Sequence, residues 1–154
     1  MRRLTSIRPA RFIAAGLSAL LLVVALAGCV PESHGIIDGN RACSSIDTPS
    51  VHGAYVGVNA YSWFENGATE CENDRTGTLR YAGYLGVQVL LYRNNVRCGE
   101  FWMRTNSVNA QVMTGTAWCD KEPGRFHATA VHRYFDSKAS KYEDFLGRSP
   151  DFYV

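Results

Sequence analysis

The sequence lacks the short motifs that mark the common enzyme classes. It contains no His-Glu-x-x-His zinc motif, no Gly-x-Ser-x-Gly nucleophile turn and no Gly-rich phosphate loop. It also has no Cys-x-x-Cys pair, so its five cysteines do not have the spacing of a zinc site. These patterns therefore predict no catalytic residue, no metal site and no cofactor.

An excess of charge of one sign is absent as well. The chain has 16 basic and 14 acidic residues, and four of the basic ones lie within the first 28 residues. The remaining 126 residues therefore carry 12 basic against 14 acidic side chains. Such a balance gives no electrostatic footprint for nucleic acid, and no nucleic-acid partner is predicted.

Long apolar runs are scarce, and the longest covers residues 12–26. It follows four arginines and precedes the small pair Ala27-Gly28, which is the anatomy of a secretory signal. The alternative is an uncleaved transmembrane helix, but the run is shorter than the ~20 residues that span a bilayer. Arg2-Arg3 lacks the rest of a twin-arginine motif, so general secretion is favoured.

The apolar run ends in Leu26-Ala27-Gly28-Cys29. These four residues resemble the lipobox of bacterial lipoproteins. The resemblance implies a diacylglyceryl group on the Cys29 thiol, cleavage before this residue, and acylation of the new amino terminus. Two or three acyl chains anchor a protein firmly, whereas one chain binds only marginally. We therefore expect residues 1–28 to be a signal peptide, and the mature protein to be held by lipid at the extracytoplasmic face of the cell membrane.

The other four cysteines predict two disulfide bonds, because an even number in an exported domain usually forms such a framework. A metal site is the weaker alternative. Spacing alone leaves three pairings open, and we expect Cys43–Cys71 and Cys98–Cys119. Cys98 and Cys119 lie near the ends of neighbouring predicted β segments, and Cys43 would fix the preceding segment to the acidic loop that carries Cys71.

The rest of the chain is mainly β in pattern. Residues 29–50 are rich in Pro, Gly and Ser and predict a lipidated tether, and period-two alternation over 51–136 predicts a β domain. Segments 110–118 and 125–135 predict a hairpin. Residues 137–154 predict a short helical or irregular tail that is capped by Ser140 and can pack on the domain. The expected whole is a small antiparallel β-sandwich or barrel.

The segment 79–105 predicts a hairpin whose register depends on its loop. A two-residue loop, Asn94-Asn95, would place Glu100 opposite Val89 on the apolar face. A three-residue loop over 94–96 gives one clean apolar face and is preferred. The preferred register pairs Val87, Val89 and Leu91 with Met103, Phe101 and Gly99.

Three aromatic residues of one predicted strand, Tyr55, Tyr61 and Trp63, alternate onto the same face. Such a face can meet a protein or stack on a sugar. The alternative is that this face is buried, as one half of a core that covers both faces of the strand. It is the candidate binding site of the sequence.

Residues 98–104, Cys-Gly-Glu-Phe-Trp-Met-Arg, follow an apolar strand that ends in Tyr92. They resemble the Cys-x-x-x-Trp-x-Arg core of a domain of unknown function in secreted actinomycete proteins. The resemblance implies an exported β module that is cross-linked by disulfide bonds, and it implies no activity.

Two hypotheses for function follow. The favoured one is a lipid-anchored, non-enzymatic binding or cell-envelope module that meets an envelope protein or a glycan. The alternative is a small secreted hydrolase that uses His127 or His132 with Glu100 or Asp120. The two histidines are five residues apart on one predicted strand, so they should face opposite sides and cannot share a metal.

Overall fold

The alternating pattern of the chain produces strands almost throughout. The computed structural model describes residues 31–67 and 69–154, and every regular element in these ranges is a β-strand. The strands are β1 (Glu32–Ile37), β2 (Asn40–Ile46), β3 (Ser50–His52), β4 (Tyr55–Glu65), β5 (Leu85–Arg93), β6 (Val96–Thr105), β7 (Val112–Asp120), β8 (Arg125–Asp136), β9 (Lys141–Arg148) and β10 (Phe152–Tyr153).

The strands form two antiparallel sheets of five strands each. In the first sheet the order is β1–β2–β4–β7, and β3 pairs with the first residues of β4 on the side of β2. In the second sheet the order is β6–β5–β8, and β9 and β10 pair with successive parts of β8. The predicted antiparallel sandwich with two disulfides is confirmed, and over the described ranges the sheets do not close into a barrel.

The core lies between the sheets and is filled by alternate residues of β4, β5, β7 and β8. The two layers of such a sandwich pack about 10 Å apart. The main buried cluster includes Val56, Val58 and Ala60 of β4, Val87, Val89 and Leu91 of β5, Ala117 of β7, and Phe126, Ala128 and Ala130 of β8. Each fully buried Val, Leu or Phe side chain contributes about 1.5–3 kcal/mol.

The predicted tether over residues 29–50 requires correction. Residues 32–46 form the hairpin β1–β2, whose turn residues Asp38 and Gly39 have φ of 55° and 76°. An Asp-Gly pair adopts this left-handed geometry readily, and it matches the twist of a hairpin. The β domain therefore begins at Glu32 and not at residue 51. Only Val30 and Pro31 separate Cys29 from the first strand.

The helical or irregular tail is also wrong. Lys141–Arg148 forms β9, which pairs along β8 from Tyr142 opposite Phe135 to Phe145 opposite His132. The spacing of aromatic residues in this segment fits either a short helix or a strand. Pairing with β8 decides between them, because a helix this short is unstable without support. Ser140, the expected helix cap, instead lies in the turn before β9 with φ of 54°.

The β5–β6 hairpin has the expected central register but a different turn. Val89 lies opposite Phe101 and Leu91 opposite Gly99. The loop consists of two residues, Asn94 and Asn95, which both have positive φ, and the register shifts between Leu91 and Tyr92. Leu91 pairs with Gly99 and the next residue, Tyr92, pairs with Arg97, so Cys98 is left as the extra residue of β6 at that shift. A second shift places Arg104, not Met103, opposite Val87.

The predicted hairpin of segments 110–118 and 125–135 is wrong, although both segments are strands. β7 pairs with β4 in the first sheet, whereas β8 pairs with β5 in the second. The connection over 121–124 therefore crosses from one sheet to the other. Gly124 has φ of 155°, and its amide exchanges hydrogen bonds with Val154.

The two disulfides pair as expected. Cys43–Cys71 joins β2 to the long loop between β4 and β5, with the Cα atoms 5.7 Å apart. Cys98–Cys119 joins the edge strands β6 and β7 of opposite sheets, with the Cα atoms 5.4 Å apart. In the ranges described, no helix has the length and apolar character needed to cross a membrane.

Candidate functional site: an aromatic slot at Trp118

The aromatic face expected on β4 is divided by the loop over residues 66–84. This loop crosses the outer side of the first sheet and is held there by the Cys43–Cys71 bond. The amide of Thr78 donates to the Phe64 carbonyl, and the backbone at Gly77 packs against the Trp63 indole. Trp63 is consequently 0% exposed, and its Nε1 donates to Glu65 at 2.7 Å. The expectation that Trp63 belongs to an open binding surface is wrong.

Tyr61, the second member of the expected face, is half-buried under the same loop. The guanidinium of Arg75 lies 3.6 Å from the Tyr61 ring centroid and also pairs with Asp47. The Tyr61 hydroxyl donates to Asp47 at 3.0 Å, and burial together with this carboxylate raises the pKa of Tyr61. Tyr61 therefore holds the loop in place, and its ring and hydroxyl group make their contacts within the protein.

The uncovered part of the face lies at the start of β4. Tyr55 is 51% exposed there, and Trp118 of the neighbouring strand β7 is 47% exposed. His52 of β3 meets the Trp118 ring edge-on, with centroids 5.2 Å apart and an interplanar angle of 83°. These three residues line a shallow, mostly apolar depression of about 450 Å³, which we call the aromatic slot.

Two glycines determine the position of Trp118. Gly57 lies opposite Trp118 on β4, and a Cβ at Gly57 would overlap the indole ring. The indole therefore lies directly on the backbone of β4. A Cβ at Gly99 of β6 would overlap the Trp118 carbonyl, so the two sheet edges approach closely at this point. Glycine is required at both positions by close approach and not by backbone conformation.

A second depression also borders on Trp118, next to the point where Gly99 approaches its backbone. It has a volume of about 370 Å³ and is lined by Arg97, Cys98, Gly99, Glu100 and Trp118. Arg97 and Glu100 form an ion pair of 3.3 Å at its surface. Trp118 therefore lines both an apolar slot and a polar cleft, and the cleft offers hydrogen-bond donors and acceptors.

Sequence reasoning missed His52 and Trp118, although a signal for Trp118 was present. Ala117 and Cys119 are small, apolar neighbours, and both are buried. Because side chains alternate along a strand, their burial directs Trp118 outward. The role of His52 depends on the pairing of the short strand β3 with β4, which the sequence does not reveal.

The histidines of the hydrolase hypothesis lie apart from the slot. His127 is buried on the outer side of β8 and stacks on Tyr92 with centroids 5.1 Å apart. His132 faces the core and is 0% exposed, with Nδ1 3.1 Å from the Ser62 hydroxyl. Burial lowers the pKa of both rings. Neither ring forms a hydrogen bond or ion pair with a carboxylate in the described structure, and Ser62 is itself fully buried.

The acidic loop around Cys71 serves the fold. Asp74 accepts hydrogen bonds from the amide and hydroxyl of Thr76, as in a local turn. Among the residues that the structure describes, no group of three or more His, Cys, Asp or Glu side chains is arranged to hold a metal ion.

Comparisons with known proteins give no match: no family model, no curated protein and no solved structure matches this chain. The resemblances to lipoproteins and to the secreted actinomycete domain therefore stay predictions. The site has to be interpreted from its own geometry.

Proposed function

We propose that this chain is a lipid-anchored binding module of the cell envelope, and that the aromatic slot is its binding site. The observation that carries the proposal is the slot itself, in which Tyr55 and Trp118 present about half of their surfaces to solvent. Aromatic side chains exposed together in a depression are typical of recognition sites, because they contribute much contact area at little entropic cost. The partner is an envelope protein or a glycan.

Location at the extracytoplasmic face is supported by two features. The first is the predicted signal peptide, residues 1–28, which directly precedes Cys29. The second is the pair of disulfides, since such bonds persist in oxidising compartments and are rare in the cytosol.

The short distance between anchor and domain determines how the slot is presented. Three peptide steps from Cys29 to Glu32 span at most ~11 Å, so a lipid on Cys29 holds the domain close to the membrane. The anchor enters at β1, which is one edge of the first sheet, and Trp118 lies on β7, the opposite edge. Three strand spacings, ~14 Å, separate these edges. Along the order β1–β2–β4–β7, the strand that carries Trp118 is therefore the one farthest from the anchored strand.

Co-sedimentation with isolated cell envelopes tests the proposal. The mature chain, purified in detergent, should bind envelopes from a deletion strain saturably, and Trp118→Ala should abolish most of the binding. Trp102→Ala is the matched control, because this indole is also exposed, at 59%, and lines neither depression. Binding by Trp118→Ala equal to that of the wild type would contradict the assignment of the slot. No binding by the wild type would contradict the proposed function.

No observation favours the hydrolase, since the described residues bring no histidine into contact with a carboxylate.

A further inference from the structure

The geometry points to a neutral glycan as the ligand of the aromatic slot, with one pyranose ring stacked on Trp118 and neighbouring sugar units bonded by Arg97 and Glu100 of the polar cleft. This inference rests on the proposed function and specifies its ligand class.

The indole of Trp118 forms a flat floor. Its inner face covers Gly57, where no side chain intervenes, and its outer face remains open to solvent. A planar aromatic face carries partial negative charge and attracts weakly positive C–H groups. The apolar face of a pyranose presents several axial C–H groups in one plane, and this surface matches a flat floor better than an irregular aliphatic side chain does.

His52 supplies a wall at one side of that floor. Its ring stands at 83° to the indole, and its Nε2 lies 2.9 Å from the Ser50 hydroxyl, which fixes the ring orientation. Tyr55 continues the apolar surface. Floor and wall together accept a thin, ring-shaped group, and the volume of about 450 Å³ lies within the usual range for small-ligand sites.

The polar cleft supplies the other half of the recognition. Arg97 offers N–H donors and Glu100 offers carboxylate acceptors, which together match hydroxyl groups that donate and accept. The two charges cancel each other at 3.3 Å, so the cleft does not favour an anionic or a cationic ligand. A nucleobase would also stack on Trp118, but its phosphates need unpaired cations, which this ion pair does not supply.

A flat apolar floor and a polar cleft with paired charges thus adjoin at one residue, Trp118. A ligand that covers both must have an apolar face and a rim of uncharged hydroxyl groups. Among the components of a cell envelope, neutral sugars have this combination. An envelope protein would meet the floor with side chains but would leave the paired charges of the cleft without a specific role.

Isothermal titration and Trp fluorescence with soluble neutral oligosaccharides test the inference on the mature chain in detergent. Chito-, cello- and malto-oligosaccharides of four to six units are the probes. At least one series should bind saturably. We expect Trp118→Ala to weaken binding by about tenfold or more and Glu100→Gln by several fold. Trp118→Phe, which keeps a flat ring, should weaken it less, and Trp102→Ala should leave it unchanged.

Two results would overturn the inference: no binding in any of the three series, or equal affinity of the wild type and Trp118→Ala. A melting curve of each variant shows whether the variant is folded, so that a loss of binding is not mistaken for a loss of folding. If Trp118→Ala does not fold, His52→Ala tests the wall of the slot and should also weaken binding by several fold.

A parallel assay separates the glycan inference from the proposed function. Envelopes are compared before and after removal of protein by protease and boiling detergent. Retention on the stripped material, lost in Trp118→Ala, supports the glycan. Retention on native envelopes alone identifies a protein partner and overturns the glycan while leaving the proposed function intact. Retention on neither overturns both.

Discussion

Mild acid should destabilise the fold through His132, the buried histidine of β8. The ring is 0% exposed, and its Nδ1 contacts the Ser62 hydroxyl, which in turn donates to the Gly86 carbonyl. Its Nε2 has no hydrogen-bond partner in the described structure. Burial, with a smaller contribution from His34, lowers the pKa of His132 from 6.5 to about 3. The folded protein therefore holds this ring neutral.

The sign and size of the effect follow from the two pKa values. Below pH 6.5 the unfolded chain takes up a proton on His132 that the folded chain does not, so unfolding becomes more favourable as pH falls. The contribution of the neutral ring is fully present above 6.5 and is lost between 6.5 and about 3. At pH 5, about 1.5 units below the unfolded value, the loss is about 2 kcal/mol.

Urea unfolding near pH 7.5 and near pH 5, followed by near-ultraviolet circular dichroism, measures this loss. His34 and His127 also have lowered pKa values and add losses of the same sign, so the wild type alone does not isolate His132. His132→Gln keeps a polar partner for Ser62 and removes the titrating ring. Its loss of stability between the two pH values should be smaller by about 2 kcal/mol.

His52→Gln, the same substitution at an exposed histidine, is measured alongside as the control for the change of side chain. If His132→Gln loses as much stability on acidification as the wild type does, the reasoning about the buried ring is refuted.

Three further predictions concern the disulfide bonds, the aromatic slot and the lipid anchor. Replacing Cys98 and Cys119 together by Ala should lower the free energy of unfolding by about 3 kcal/mol, because the unfolded chain is then no longer constrained by a closed loop of 21 residues. Equal melting temperatures of the variant and the wild type would contradict this. Gly57→Ala should displace the indole of Trp118 and destabilise the domain by about 1–3 kcal/mol, an overpacking effect measurable by urea unfolding; an unchanged midpoint would show that the ring does not lie on β4. Cys29→Ser should move the protein from the detergent phase to the aqueous phase in a phase-partition assay, and continued partition into detergent would refute lipid anchoring.

The fold class was predictable because its determinants are local. Alternation along β4 and β5 and an even number of cysteines indicate an antiparallel, disulfide-linked sheet protein. The hairpin over 79–105 shows the limit of such reasoning. A three-residue loop and a two-residue loop with one extra residue at Cys98 give the same pairing of Val89 with Phe101. The hydrophobic pattern specifies that pairing and cannot distinguish the two turns.

Long-range pairing accounts for the elements that were predicted wrongly. The segment 141–148 has aromatic spacing that suits a short helix, but β8 offers it a full edge to pair with. Segments 110–118 and 125–135 follow one another closely in sequence, yet each finds its partner in a different sheet. Neither outcome is encoded in the local pattern, because both depend on which edge remains open once the central strands have paired.

The candidate site was half predictable for the same reason. Alternation identified an aromatic face on β4, of which Tyr55 is exposed. It did not reveal that the loop over 66–84 covers Trp63, since that depends on a disulfide and on contacts across the sheet. It also did not reveal that Trp118 from β7 completes the exposed part, because strand order is a tertiary property.

Hydroxyl-radical footprinting of the wild-type protein in intact cells tests the central claim most directly. Oxidation of Trp118 and Trp102, both exposed in the isolated domain, is measured by mass spectrometry in cells and in the purified mature protein. If the slot is the binding site of an envelope-facing module, Trp118 is protected in cells, whereas Trp102 is oxidised to the same extent in both samples. Equal oxidation of Trp118 in cells and in the purified protein would contradict the account.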